Sequence, residues 1–204
     1  MKIIHSNIKK GEIKILVQTL DDLWYLSNII DPGDKVQGKT LRKIKTQSSE
    51  EKSKEASKRP VFIAIEVEKV EFRKYSSVLR VSGVIREAPE DVPLGEHHTF
   101  NLEEHSSITI IKEEWLKYQL DKLNEAASEQ RSSILIVVHD REEAYFALFK
   151  KYGYEILSHI EGEVQKKRDE NIKKGNFYLS VINKMKEYVE RHDIKQVILA
   201  SPAF

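Results

Sequence analysis

The chain contains no cysteine, so no disulfide can staple it. That suits a reducing cytoplasm, where disulfides are rare. Long apolar runs are missing too. The longest, Ile134 to Val138, falls far short of the ~20 residues that cross a bilayer as a helix. The opening Met1-Lys2-Ile3-Ile4-His5-Ser6 lacks the apolar core of a secretory signal. There is no excess of charge of one sign: 34 basic residues face 33 acidic ones, so nucleic-acid binding must come from local patches. Gly-x-Gly-x-x-Gly, His-Glu-x-x-His and Gly-x-Ser-x-Gly are all absent. Nothing therefore supports a dehydrogenase, a zinc protease or a serine hydrolase. What is present, 40% apolar residues over 204 positions, suffices for one large or two small cores.

The chain is organised around Gln18 to Lys45. Thr19 is a good N-cap with Asp22 three residues on, close to a capping box, and Asp21 and Asp22 put negative charge where the helix dipole favours it. Leu20, Leu23, Trp24 and Ile30 recur at helical spacing, and Asp31-Pro32-Gly33-Asp34 ends the helix. A strand follows. Val36, Gly38, Thr40, Arg42 and Ile44 alternate with Lys35, Gln37, Lys39, Leu41, Lys43 and Lys45, so one face is mostly cationic.

Around this stretch, residues 1–17 read as a hairpin turning at Lys9 to Glu12. Thr46 to Pro60 is a polar loop ending in Lys58-Arg59. Val61 to Val67 is a strand whose parity breaks at Val70 and Phe72, which predicts a bulge or turn near Glu68-Lys69. Val78 to Arg86 is the next strand, bending at Gly83. Two short strands (97–102 and 108–111) and a helix over Glu113 to Ala127 complete a small, strongly bent barrel. The polar segment Asn124 to Ser133 marks a domain boundary, giving domains at 1–127 and 132–204. The second reads β-β-β-α-β, with a helix carrying Val181, Met185 and Tyr188 and a last, buried strand at Gln196 to Ala200. The fold class is α+β, mostly β: a bent barrel followed by a partial α/β domain that reads as truncated.

Four groups of residues are candidates for chemistry. Lys35, Lys39, Arg42, Lys43, Lys45, Lys58 and Arg59 could clamp phosphates, or form a solvated face that guards a sheet edge. Stacking aromatics are not evident there, since neither Tyr25 nor Phe62 falls obviously on that face. Asp21 and Asp22 could hold a divalent metal, but helix N-terminal capping explains them better and no third ligand is in view. His97, His98 and His105 are clustered without metal spacing, and adjacent strand residues point to opposite faces. Lys166, Lys167, Arg168, Lys173 and Lys174 form a second basic cluster, partly neutralised by Glu161, Glu163, Asp169 and Glu170.

Several segments, in order, resemble the archaeal Pelota (Dom34) family: Leu20-Asp-Asp-Leu-Trp-Tyr-Leu26, Pro32-Gly-Asp-Lys-Val36 and Thr40-Leu-Arg-Lys43, then Leu94 to Leu102, Ile108 to Trp115, Tyr152 to Leu157 and Ser201 to Phe204. The resemblance implies an Sm-like barrel followed by the central domain shared with class 1 release factors. It implies a ribosome-rescue and mRNA-surveillance factor that enters the A site of stalled ribosomes. Its partners would be ribosome and RNA, an elongation-factor-1A-like GTPase and a recycling ATPase, and it would act as a monomer in the cytoplasm, away from membranes. It makes the Lys39–Lys45 strand and the Thr46–Arg59 loop RNA contacts, and the Lys166–Lys174 cluster a ribosome or partner contact. It also implies a proposed endoribonuclease activity that needs a divalent metal, with Asp21 and Asp22 at the acidic positions. The family's Pro-Gly-Lys-Arg in its basic loop is replaced by Val164-Gln-Lys-Lys-Arg168 here, and its C-terminal domain is absent. No Gly-Gly-Gln occurs, so peptidyl-tRNA hydrolysis is not expected. Three functions follow as expectations: an RNA-binding rescue factor, a metal-dependent endoribonuclease, or a protein-binding adaptor working through residues 163–174.

Overall fold

Alternating burial builds the first part of the chain. Leu79, Val81 and Ile85 turn inward from one strand, and Val61, Ile63, Ile65 and Val67 from its neighbour. The computed structural model describes residues 1–43, 58–128, 134–162 and 177–202. It divides into two compact units, Met1–Glu129 and Gln130–Phe204.

The first unit contains β1 (Lys2–Asn7), β2 (Glu12–Leu16), α1 (Leu20–Ser27), β3 (Lys35–Lys43), β4 (Lys58–Arg73), β5 (Val78–Glu87), β6 (His97–Leu102), β7 (Ser107–Ile111) and α2 (Lys117–Ala127). Its strands form one sheet in the order β1-β2-β7-β3-β4-β5-β6, antiparallel throughout. β3 is an interior strand only over Lys35–Gly38, where β7 pairs with it; Lys39–Lys43 pair with β4 alone among the described residues.

The parity break in β4 is a bulge, not a turn. The strand runs 16 residues without interruption, and its register against β5 shifts between Val67 and Lys69. Gly83 sits opposite Val67, and a Cβ there would collide with the Glu66 carbonyl oxygen. The missing side chain lets the two backbones close up where the sheet bends. The sheet curls until β6 meets β3 through side chains: His98 Nε2 lies 3.2 Å from Thr40 Oγ1, and Arg42 pairs with Glu96.

The α2 helix starts at Lys117, four residues later than the sequence pattern suggests. The preceding residues are held elsewhere. The Trp115 indole donates to the Gly11 carbonyl at 2.6 Å, and the Lys112 backbone N–H donates to the same oxygen at 3.1 Å. Trp115 thus belongs to the barrel core, 7% exposed, rather than to the helix face.

The second unit contains β8 (Ile134–His139), β9 (Glu143–Lys150), β10 (Gly153–Glu161), α3 (Phe177–Arg191) and β11 (Gln196–Ala200), with sheet order β10-β9-β8-β11. β11 runs parallel to β8, and α3 packs Val181 and Tyr188 against Leu135, Val137 and Phe146. The expected burial of β11 is corrected: Val197, Ile198 and Leu199 are 40%, 51% and 58% exposed. β11 is an edge strand, and Ile198 shares its face with Ile136 and Val138, away from α3. Among the described residues, no helix is long and apolar enough to cross a membrane.

Candidate nucleic-acid interface

The β3–β4 hairpin decides which of the predicted cations can meet a phosphate. Its rungs are Lys35↔Glu66, Gln37↔Ala64, Lys39↔Phe62, Leu41↔Pro60, Arg42↔Arg59 and Lys43↔Lys58. Partners on a rung share a face, so Lys39 stands beside Phe62, and Leu41 beside Pro60. Phe62 is 52% exposed and Leu41 64%. The sequence pattern left Phe62 off the cationic face; the register puts it there.

Two of the predicted clamp residues are already neutralised. Lys35 pairs with Glu87. Arg42 lies on the opposite face from Lys39, only 15% exposed in its side chain, and pairs with Glu96. Lys39 and Arg59 are exposed and have no ion-pair partner among the described residues. Lys43 and Lys58 form the last backbone rung before residues 44–57. Lys45 lies outside the described residues, as do Lys166, Lys167, Arg168, Lys173 and Lys174.

His98 sits beneath this hairpin, next to Thr40 and edge-on to Phe100 at 5.2 Å. His97 points the other way and lies 3.2 Å from Glu68, as the strand alternation requires. Burial first, and then the Arg42 guanidinium, push His98 down from 6.5 to about 4. The unfolded chain takes up this proton as pH falls below 6.5, whereas the folded chain resists it until about 4. This contribution to stability is therefore complete above 6.5 and is lost as pH falls towards 4. Unfolding midpoints of wild type and His98→Gln, taken from pH 7 downward, should converge through that window. Parallel curves would contradict the assignment.

Asp21 and Asp22 part company in the structure. Asp22 is 3% exposed. Its Oδ1 lies 2.8 Å from the Met1 α-ammonium and accepts from Thr19 Oγ1 at 3.1 Å. Its Oδ2 accepts from the Gln18 and Thr19 backbone N–H groups at 2.7 and 3.0 Å. A carboxylate has about four lone-pair sites. Four donors already fill those of Asp22, one of them a cation, so its environment does not fit a divalent metal. Among the described residues no group of three or more His, Cys, Asp or Glu is placed to hold a metal ion.

Residues 133–204 match the second domain of eRF1, which sets the second unit among the central domains of release-factor-like proteins. Residues 1–127 match the Pelota N-terminal domain, and the chain belongs to the Pelota family. It is 39% identical over 209 residues to the pelota homologue of Thermococcus onnurineus, covering 100% of this chain and 58% of the relative. It is also 39% identical over 210 residues to that of Pyrococcus horikoshii, covering 59% of the relative. The chain thus spans less than two thirds of the length of these relatives. Among solved structures, it resembles ribosome-bound archaeal Pelota with ABCE1, with TM-score 0.56 and 38% identity over 100% of this chain and 58% of that one. The Thermoplasma acidophilum Pelota structure gives TM-score 0.62 and 25% identity, covering 100% and 55%. S. cerevisiae Dom34, described as a translation termination-like factor involved in RNA quality control pathways and interacting with Hbs1, gives TM-score 0.53 and 27% identity, covering 100% and 54%.

Proposed function

We propose that this chain is the barrel and central-domain portion of a ribosome-rescue and mRNA-surveillance factor of the cytoplasm. It recognises stalled ribosomes in the A site and promotes their dissociation without hydrolysing peptidyl-tRNA. The observation that carries this reading is the succession of a Pelota N-terminal domain and an eRF1-type second domain over almost the whole chain. The partners named for relatives, the ribosome with ABCE1 and Hbs1, fit a recycling ATPase and a translational GTPase acting with the full-length protein. The mechanism is recognition by shape and charge. The exposed Lys39 and Arg59 bring positive charge to the two faces of one end of the β3–β4 hairpin. Lysine and arginine contacts to phosphates release counterions, so binding weakens as salt rises.

The test is binding to ribosomes with an empty A site across a salt series. The informative variant is Lys39→Glu with Arg59→Glu. Arg42 is a poor choice, because reversing it would set a second acid against Glu96 and disturb the closure between β3 and β6. Wild type should bind in a salt-sensitive way. The double reversal should weaken binding and cut the slope of log affinity against log salt by roughly two. Binding untouched by the reversal would remove the hairpin from the interface.

A further inference from the structure

We infer that the outer face of the β3–β4 hairpin is a stacking platform for an unpaired RNA base, with Phe62 as the base-stacking ring and Lys39 as its phosphate contact. This rests on the RNA-contacting reading above and adds a nucleotide-level contact to it.

Beyond Gly38 in β3 and before Ala64 in β4 the two strands pair only with each other among the described residues, and this two-stranded end holds large apolar side chains in water. Here Leu41 and Pro60 are exposed on one rung, and the next carries Phe62, 52% exposed, beside Lys39. Below them the character changes. Lys35 is tied to Glu87, and Glu66 accepts from Arg86 Nε at 2.7 Å. The face is therefore divided into a neutralised polar half and an apolar half holding an ammonium with no ion-pair partner among the described residues.

That combination fits one chemistry. Single-stranded RNA presents flat π faces spaced along a phosphate chain, and proteins that bind it pair aromatic rings with nearby cations. Duplex RNA is a poor match, since its bases are stacked on each other and out of reach of the ring. A purely apolar protein segment would gain nothing from Lys39. The rung geometry supplies the spacing: directly opposed residues lie about 5 Å apart at Cβ, so a base on Phe62 leaves its phosphate within reach of the Lys39 side chain.

The test uses the chain as it is, with a fluorescein-labelled, unstructured single-stranded RNA dodecamer and, separately, ribosomes with an empty A site. Phe62→Ala should weaken dodecamer binding by roughly 5- to 100-fold, the range expected for losing one base–aromatic stack. Phe62→Trp should restore it. Phe62→Leu, which keeps an apolar side chain without a ring, should fail like Ala. None of the three should change the salt slope, whereas Lys39→Gln should reduce it by about one. If Phe62→Ala binds the dodecamer as wild type does, while Lys39→Gln weakens it, the contact is electrostatic only. Stacking is then overturned, and the ribosome-rescue reading stands. If Phe62→Leu is as good as wild type, or if Phe62→Ala loses ribosomes but not the dodecamer, the face belongs to a protein partner and the proposal is wrong. If wild type binds neither probe at any salt, the RNA-contacting reading fails together with it.

Discussion

Asp22→Asn will destabilise the first unit by about 3–5 kcal/mol, the usual result of removing one partner of a buried ion pair. The Met1 and Asp22 side chains are 0% and 4% exposed, and the Met1 ammonium lies 2.8 Å from Asp22 Oδ1. The ammonium also donates to the Ala126 carbonyl at 3.0 Å, so this one charge ties the start of β1, the first turn of α1 and the end of α2 together. Asparagine keeps the shape but leaves the ammonium buried without a counter-charge. It also turns an amide NH2 towards donors, either the ammonium or the Gln18 and Thr19 N–H groups. Asp21→Asn, by contrast, alters a half-buried first-turn charge and should cost less than Asp22→Asn. An uncleaved N-terminal tag should act in the same direction as Asp22→Asn, because a neutral peptide N–H replaces the ammonium paired with Asp22. Urea unfolding read by Trp24 and Trp115 fluorescence separates these variants. Equal midpoints for Asp21→Asn and Asp22→Asn would refute the argument. The outcome also governs how activity data are read, since loss of any activity in an Asp22 variant would then report folding rather than catalysis.

Lys112→Met should be comparably costly, again about 3–5 kcal/mol. The Lys112 side chain is 3% exposed. Its Nζ pairs with Asp34 and lies 3.1 Å from Asp31 Oδ2, over the Trp115 ring at 5.6 Å. The same Asp31 oxygen accepts from Gln119 Nε2 at 2.7 Å, and Asp34 Oδ2 accepts from the Asp31 N–H at 2.7 Å. The network therefore shapes the 31–34 turn that delivers the chain into β3, and with it the hairpin that carries Lys39 and Phe62. Methionine preserves the packed stem and deletes the charge, stranding the Asp34 carboxylate, which is only 11% exposed. Adding Asp34→Asn to Lys112→Met should recover part of the loss, with a coupling of roughly 0.5–3 kcal/mol in the double-mutant cycle. Strict additivity would show that the two groups do not act as a pair.

Much of this architecture was legible from local pattern. Period-2 alternation marked the strands, helical spacing marked α1 and α3, and Thr19 with Asp22 marked the start of α1. These are short-range signals, carried by residues a few positions apart. The bend of the sheet was legible at Gly83 for the same reason, since a glycine inside an alternating strand has a local meaning. Sequence order alone also carried the family likeness.

The tertiary structure decided everything that depends on which distant residues meet. Phe62 shares a face with Lys39 only because β3 and β4 pair in one register, which sequence spacing alone does not set; a slip of one position would send Phe62 to the other face. Arg42 and Lys35 looked free until the curl of the sheet brought Glu96 and Glu87 to them. Asp22 looked like a capping residue beside a second acid. Its burial under the chain's own first residue, 21 positions away, is a packing fact with no local signature. Residue spacing determined the elements, because backbone periodicity is local. Register and closure determined the candidate site, because the burial and charge partners of each side chain come from elsewhere in the chain.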